Sequence, residues 1–181
     1  MQNNYENVKT RIFKIDKYTY TIDFPVLFLF FGVFLDMIST TLFVVLRVGT
    51  EANFILRELI PISIWFIPIY LLSSNAVFVP FLSKVLRKTL GYTFGFVNGL
   101  LGLNNFSLVL FKNAFLVDTI GLYNLIILFV VFGFTIFVYF VKKEKLDKKE
   151  TISTCLKLFL YLVFLGLIQF LYVVIPTFAR A

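Results

Sequence analysis

The chain has 181 residues, of which 60% are hydrophobic and 25 are phenylalanine, and its mean hydropathy is +0.92. Several apolar runs of about eighteen residues or more exclude an ordinary soluble domain and predict an all-α, polytopic integral membrane protein. The formal net charge of +7 does not predict a nucleic-acid partner, because the lysines and arginines cluster at the ends of the apolar runs.

Several kinds of chemistry are excluded by residue counts. The chain has no histidine and one cysteine, Cys155, which excludes an internal disulfide, a His/Cys metal site and histidine-ligated haem. We expect no cofactor, and the sequence does not identify a metal. A serine–histidine protease is excluded too, and an aspartyl protease would need a second membrane aspartate, whereas Asp118 lies at a predicted helix boundary. Catalysis is therefore not favoured, although the sequence leaves that question open.

Residues 1–23 form a polar N-terminal arm, in which four lysine or arginine residues alternate with isoleucine, phenylalanine and tyrosine. This mixture is typical either of a segment in the lipid headgroup region or of a solvated arm whose charges determine topology. The arm lacks a short apolar core followed by a small-residue cleavage site, so we do not expect a cleavable signal peptide.

Five membrane-spanning helices are predicted to form one bundle in residues 24–181. They cover residues 24–46, 62–82, 90–111, 119–141 and 152–175. Pro25 fits the first turn of the first helix, whereas Pro68 and Pro80 predict kinks in the second. A short interfacial helix over residues 51–59, with Thr50 as its N-cap, connects these two helices.

The distribution of positive charge predicts the orientation. The N-terminal arm, the loops after the second and fourth helices and the nearby Lys157 hold thirteen of the 17 lysines and arginines. Because positive residues favour the cytoplasmic side, we expect a multi-pass protein of the cell membrane with its N-terminus inside and its C-terminus outside.

An aspartate lies near the midpoint of the first predicted helix. A carboxylate at that depth costs about 2.5–3.5 kcal/mol on insertion scales, which makes Asp36 a functional hypothesis by default. Gly32, Ser39 and Thr40 share its helical face. Asp36 is predicted to bind a cation, a proton or a substrate amine. In the structural alternative it is protonated, or hydrogen-bonded to Thr40 or to an asparagine of the third helix.

Other polar residues are candidate members of the same site. Glu51 and Asn53 either cap the short interfacial helix or close the outer mouth of a pocket above Asp36. Helical rise separates Glu51 from Asp36 by about 20 Å, so direct contact requires backbone that re-enters the membrane. Ser74 and Asn75, at the centre of the second helix, are predicted to complete the same central layer.

The third predicted helix has one face made only of glycine and asparagine. Its members are Gly91, Gly95, Asn98, Gly102 and Asn105. Small residues let another helix approach closely, so the three glycines favour helix packing. In the functional alternative, Asn98 and Asn105 supply amide oxygens to a cation or donors to a polar substrate.

Residues 25 to about 110 resemble a family of small, functionally uncharacterised prokaryotic membrane proteins. Its pattern is an aspartate in the first helix, a hydroxyl residue about four later, then a glycine followed by Glu-x-Asn-Pro, with an asparagine in the third helix. The matching residues are Asp36, Thr40, Gly49, Glu51 and Asn53, with Asn105 as the candidate for the last asparagine. Phe54 replaces the proline, so the turn after Asn53 is expected to differ. The resemblance implies no activity, only that Asp36, Glu51 and Asn53 act as one unit.

Two hypotheses for the function follow. The leading one is transport or binding of a cation, a proton or a small polar solute between the first three helices. The alternative is a non-catalytic accessory or assembly subunit of a larger membrane complex. A transporter keeps its polar faces turned inward, whereas an accessory subunit presents one on its outer surface. Five helices are few for a solitary transporter, so besides the lipid bilayer we expect a homo-oligomer or other membrane subunits as partners.

The predicted orientation can be tested at the single cysteine. Cys155 follows the lysine-rich loop, so it is expected in the cytoplasm or just inside the membrane edge. A membrane-impermeant thiol reagent applied to intact cells should therefore leave Cys155 unmodified. Ready labelling from outside would overturn the orientation.

Overall fold

The computed structural model describes residues 11–15, 18–48, 54–61, 63–113 and 115–179. Four of its helices, α1, α4, α6 and α7, are long and apolar enough to cross a membrane. The described elements are β1 Arg11–Ile15, β2 Tyr18–Ile22, α1 Phe24–Val45, α2 Phe54–Leu59, α3 Phe66–Asn75, a 3-10 helix Val79–Phe81, α4 Lys84–Phe111, α5 Phe115–Ile120, α6 Leu122–Lys143 and α7 Lys148–Ala179. The prediction of a mainly helical chain with several helices long and apolar enough to cross a membrane is confirmed.

Helices α1 and α4 run parallel and form the most extensive helix–helix contact in the described structure. Gly91, in the second turn of α4, lies against Pro25 at the start of α1. Gly102, three turns later, lies against the backbone of Asp36 in the middle of α1. The two helices therefore rise together, with the glycine face of α4 directed at α1.

Three ion pairs join the helix ends at one side of the bundle, which we call the basic end. Glu144, just after α6, pairs with Lys84 at 2.7 Å and with Lys88 at 2.8 Å. Asp23, just before α1, pairs with Arg87 at 2.9 Å. Hydrogen bonds from the two lysines lower the pKa of Glu144 below its usual value. Because α6 packs along α4 and ends beside its start, these two helices are antiparallel.

The prediction of a continuous second span over residues 62–82 is wrong. Helix α3 has ten residues, or about 15 Å of rise, which is half the thickness of a bilayer's hydrocarbon core. It ends at Asn75, and Pro80 lies in the 3-10 helix that follows a turn. Pro68 lies in the first turn of α3, where no backbone donor is needed, so it does not kink the helix.

The chain nevertheless returns from one end of the bundle to the other before α4. This return follows from the parallel direction of α1 and α4. The 3-10 helix contacts β2 and α4 at the basic end. Helix α3 thus forms part of an interrupted return segment.

Two other predicted helices begin earlier in the chain than predicted, and the fourth begins at Leu122 instead of residue 119. Helix α4 begins at Lys84 instead of residue 90, so the predicted basic loop forms its first turns. Helix α7 begins at Lys148 instead of residue 152, which shortens the preceding loop. Cations at a helix N-terminus are unfavourable, and at α4 the ion pairs with carboxylates of other segments offset that cost. Gly121, with φ of 82°, separates α5 from α6.

Part of the N-terminal arm forms an antiparallel β-hairpin, which neither interpretation of the arm predicted. Arg11 pairs with Ile22, and Ile15 pairs with Tyr18. The alternating threonines and tyrosines of β2 have high strand propensity. The hairpin leads into Asp23, whose carboxylate accepts a hydrogen bond from Val26 N at 3.3 Å and caps α1.

The main apolar core lies between α1, α2, α3 and α7. Leu29 of α1, Leu59 of α2 and Ile67 of α3 are completely buried within it. Helix α1 is therefore covered by both α3 and α4, whereas α6 and α7 leave most of their apolar side chains exposed. This enclosure buries the face of α1 that holds Asp36, whereas Phe31 and Phe34 on the same helix are exposed.

The close approach of α1 and α4 predicts which glycines tolerate a side chain. A methyl group at Gly102 would lie 2.8 Å from the backbone nitrogen of Asp36, whereas none of the described atoms lies within 4 Å of one at Gly99. We expect Gly102→Ala to lower the thermal unfolding midpoint in detergent. Gly99→Ala should be neutral or stabilising, by up to about 1 kcal/mol, because alanine has the higher helix propensity.

Larger side chains should increase the difference in stability between positions of α4 that face α1 and positions that do not. Gly95→Leu and Gly102→Leu should prevent folding, whereas replacement of the exposed Leu103 by another apolar residue should be mild. Equal tolerance at Gly99 and Gly102 would contradict the packing of α4 on α1.

Candidate functional site

Asp36 is buried in the middle of α1, with 5% of its surface exposed. Thr40, one turn later, donates a hydrogen bond from Oγ1 to Asp36 Oδ1 at 3.2 Å. Asn105 of α4 donates from Nδ2 to Thr40 Oγ1 at 3.0 Å and to Asp36 Oδ1 at 3.4 Å. We call these three residues the aspartate cluster.

The cluster forms because of residue spacing on two parallel helices. Asp36 and Thr40 are four residues apart and lie on one face of α1. Gly102 brings α4 against the backbone of Asp36, and Asn105 follows on the same face of α4. The Thr40 hydroxyl both donates and accepts, which connects the amide to the carboxylate. These are the hydrogen bonds that the structural alternative predicts, and an ionised carboxylate has lone pairs for further donors.

A cavity of about 650 Å³ lies beside the aspartate cluster, between α3, α4, α6 and α7. Small-molecule sites commonly have volumes of about 300–1,000 Å³ and mostly apolar walls. Asp36 and Asn98 supply polar groups to the wall, which is otherwise largely aliphatic and aromatic. Phe134 of α6 and Leu162 of α7 line it and are exposed, so its outer edge lies on the surface of the membrane-spanning helices.

Two threonines of the cavity wall were not among the predicted site residues. Thr89 and Thr93 of α4 are buried, and neither hydroxyl has a hydrogen-bond partner among the described residues. Gly133 of α6 packs against Thr93, where a methyl group would lie 3.1 Å from Thr93 Cγ2. The available signal was their spacing, because two hydroxyl residues one turn apart in an apolar helix share a face.

Members of the predicted glycine–asparagine face of α4 contact two different parts of the structure. The glycines and Asn105 face α1, whereas Asn98 is buried and lines the cavity. Asn98 also donates from Nδ2 to the Phe94 carbonyl of its own helix at 2.7 Å. The neighbouring Asn104 accepts a hydrogen bond from Leu116 N at 3.0 Å and so connects α4 to α5.

The structure does not describe the side chains of the remaining predicted site residues. Glu51 and Asn53 lie outside the described residues. Ser74 and Asn75 are the last residues of α3, and the description covers their backbone but not their side chains. Tyr70, one turn earlier in α3, does line the cavity.

The chemistry available at the site is that of one carboxylate with hydroxyl and amide groups. Within the described residues, no three Asp, Glu, His or Cys side chains come together to hold a metal ion. Calcium usually takes six to eight oxygen ligands, several of them carboxylates. The cluster instead suits a proton, a monovalent cation or a protonated amine.

Comparisons of the chain with protein-family models, curated proteins and solved structures find no match. The family resemblance in the sequence therefore stays a prediction, and the functional argument depends on the geometry of the site.

The hydrogen bonds of Thr40 can be tested by an isosteric substitution. Thr40→Val keeps the shape of the side chain but removes the donor to Asp36 and the acceptor for Asn105. We expect a loss of about 1–3 kcal/mol of stability in detergent, because buried polar groups lose their partner. Thr41→Val is the matched control, since that hydroxyl bonds only to the Met37 carbonyl in the described hydrogen-bond network. Equal losses at both positions would contradict the cluster.

Proposed function

We propose that this chain is a small multi-pass protein of the cell membrane that binds, and carries across the bilayer, a cation, a proton or a small polar solute at the aspartate cluster. One observation supports this most directly: Asp36 is buried in a helix that is long and apolar enough to span a membrane, and it also lines a cavity of small-molecule size. A neutral amide can make the same helix-to-helix hydrogen bonds, so the cost of placing a carboxylate there favours a role for its charge.

The direction of the polar faces favours this proposal over an accessory subunit. In the described parts of α1 and α4, Asp36, Asn98 and Asn104 are buried inside the bundle. On the exposed face of α6, Asn124 donates a hydrogen bond to the Ile120 carbonyl at the end of α5, and Thr135 donates to the Val131 carbonyl of its own helix. Those outward-facing polar groups are therefore satisfied without a partner helix.

The proposal includes an orientation and an assembly. The basic end would lie in the cytoplasm, because the ends of α1, α4 and α6 meet there with most of the positive charge. Four long helices and one interrupted segment are few for a complete pathway, so a homo-oligomer or other membrane subunits would complete it. Glu51 and Asn53 remain candidates to act with Asp36 as one unit, as the family resemblance implies.

Asp36→Asn tests the role of the charge. Asparagine keeps the size and a hydrogen-bonding oxygen but cannot bind and release a proton. We expect the variant to insert and fold normally, while the contribution of Asp36 to the dependence of the unfolding midpoint on pH, and the wild-type response to sodium against choline, are lost. In liposomes containing a pH-sensitive dye, proton- or cation-linked flux should be lost as well.

Two variants serve as controls for this experiment. Asp147→Asn removes an exposed carboxylate outside the spans and should leave both measurements unchanged. Asp36→Leu strands the donors of Thr40 and Asn105 and should destabilise the protein by about 1–3 kcal/mol. If Asp36→Asn keeps the wild-type response to pH and sodium, Asp36 is not the coupling residue.

A further inference from the structure

The described wall of the cavity carries only negative charge. Of the described residues that line it, only Asp36 is charged. The basic residues Lys84, Arg87 and Lys88 are in ion pairs at the basic end. Complementary charge favours a cationic ligand in this cavity and disfavours an anionic one.

The remaining wall requires a ligand with an apolar body. Five aromatic side chains line it: Tyr70, Phe94, Phe129, Phe134 and Phe137. The faces of such rings attract organic cations, and their apolar area favours a ligand that fills the cavity. A single inorganic ion at Asp36 would leave most of the 650 Å³ without contacts.

The outer edge of the cavity lies on the surface that faces lipid in the proposed arrangement. Ile126 and Val130 of α6 and Leu162 of α7 are exposed and line the cavity. A ligand that dissolves in the bilayer can therefore reach the cavity from the side. This route excludes strongly hydrated ions and admits lipophilic ones.

The unpartnered hydroxyls indicate a second polar group on the ligand. Thr89 and Thr93 line the cavity, are more than nine-tenths buried and have no partner among the described residues. A buried hydroxyl without a hydrogen bond is unfavourable, and a ligand can supply the missing partner. Gly102 marks the level of Asp36 on α4, so Thr93 lies about 14 Å away along the helix axis.

We propose that this cavity binds a lipophilic organic cation that enters from the bilayer. Its positively charged group lies at Asp36, its apolar body lies among the aromatic side chains between α4 and α6, and a hydrogen-bonding group reaches Thr89 and Thr93. This assignment rests on the proposed function, because it names the ligand class for the same aspartate cluster.

A matched pair of ions tests the assignment. Tetraphenylphosphonium and tetraphenylborate have the same shape and opposite charge, and their binding to the purified full chain in mild detergent can be measured by equilibrium dialysis. We expect the cation to bind at least about tenfold more tightly than the anion, and Asp36→Asn to remove that preference. Gel filtration and circular dichroism establish that the variant is folded.

Substitutions in the wall separate the cavity from the aspartate cluster. Leu162→Trp, at the exposed edge, should weaken tetraphenylphosphonium binding at least about tenfold while the response of the unfolding midpoint to pH and sodium persists. Thr89→Val with Thr93→Val keeps the cavity shape, so tetraphenylphosphonium binding should change by less than about twofold. A triphenylphosphonium ion whose alkyl chain carries a hydroxyl about 14 Å from the phosphorus, the axial distance from Asp36 to Thr93, should bind this double variant about fivefold more weakly.

The outcomes distinguish the two proposals. Equal binding of cation and anion, or unchanged cation binding in Leu162→Trp, would overturn the lipophilic-cation site while the pH and sodium response still supports the proposed function. Cation binding that requires Asp36 in a protein without any pH or sodium response would support the organic-cation site. It would also overturn proton or inorganic-cation binding at the cluster.

Discussion

The contact between α1 and α4 is the constraint on which the rest of the structure depends. Gly32 packs directly on the backbone of Gly95, so the two helices approach without side chains between them. This approach sets the register in which Asn105 reaches Thr40 and Asp36. A slip of one helical turn moves the partners apart by about 5.4 Å, beyond hydrogen-bonding distance. The aspartate cluster therefore forms only when α1 and α4 pack in this register.

The parallel arrangement of these helices also explains the interrupted segment between them. Two neighbouring parallel helices need a return path, and here residues 46–83 supply it. Non-helical backbone at membrane depth is tolerated where protein covers it. Ala76 in the turn and Val79 in the 3-10 helix are buried, as that rule requires. Tyr70, near the end of α3, lines the cavity, so the interruption lies close to the candidate site.

The sequence predicted the helix faces better than their partners. The apolar run and Pro25 predicted the ends of α1 to within a residue, and the glycine spacing marked one face of α4. It did not reveal that α1 covers this face, because helical periodicity contains no information about the neighbouring helix. Asn98 and Asn105 share that face of α4. Only the register of α4 against the other helices places Asn105 at α1 and Asn98 in the cavity wall. The spacing of Thr89 and Thr93 was a weak signal, because threonines in membrane helices commonly bond to their own backbone.

The hydrogen bonds described at Asp36 from Thr40 and Asn105 do not by themselves require a carboxylate. Thr40 and Asn105 both act as donors to Asp36, and the oxygen of an asparagine accepts the same two hydrogen bonds. The amide avoids the cost of a charge at this depth. What the carboxylate adds is the capacity to bind and release a proton and to attract a cation. The cavity wall brings that capacity within reach of a ligand, because Asp36 belongs to both the helix contact and the cavity. The proposed function therefore requires this one side chain both to anchor α4 through Oδ1 and to change its charge state when a ligand binds.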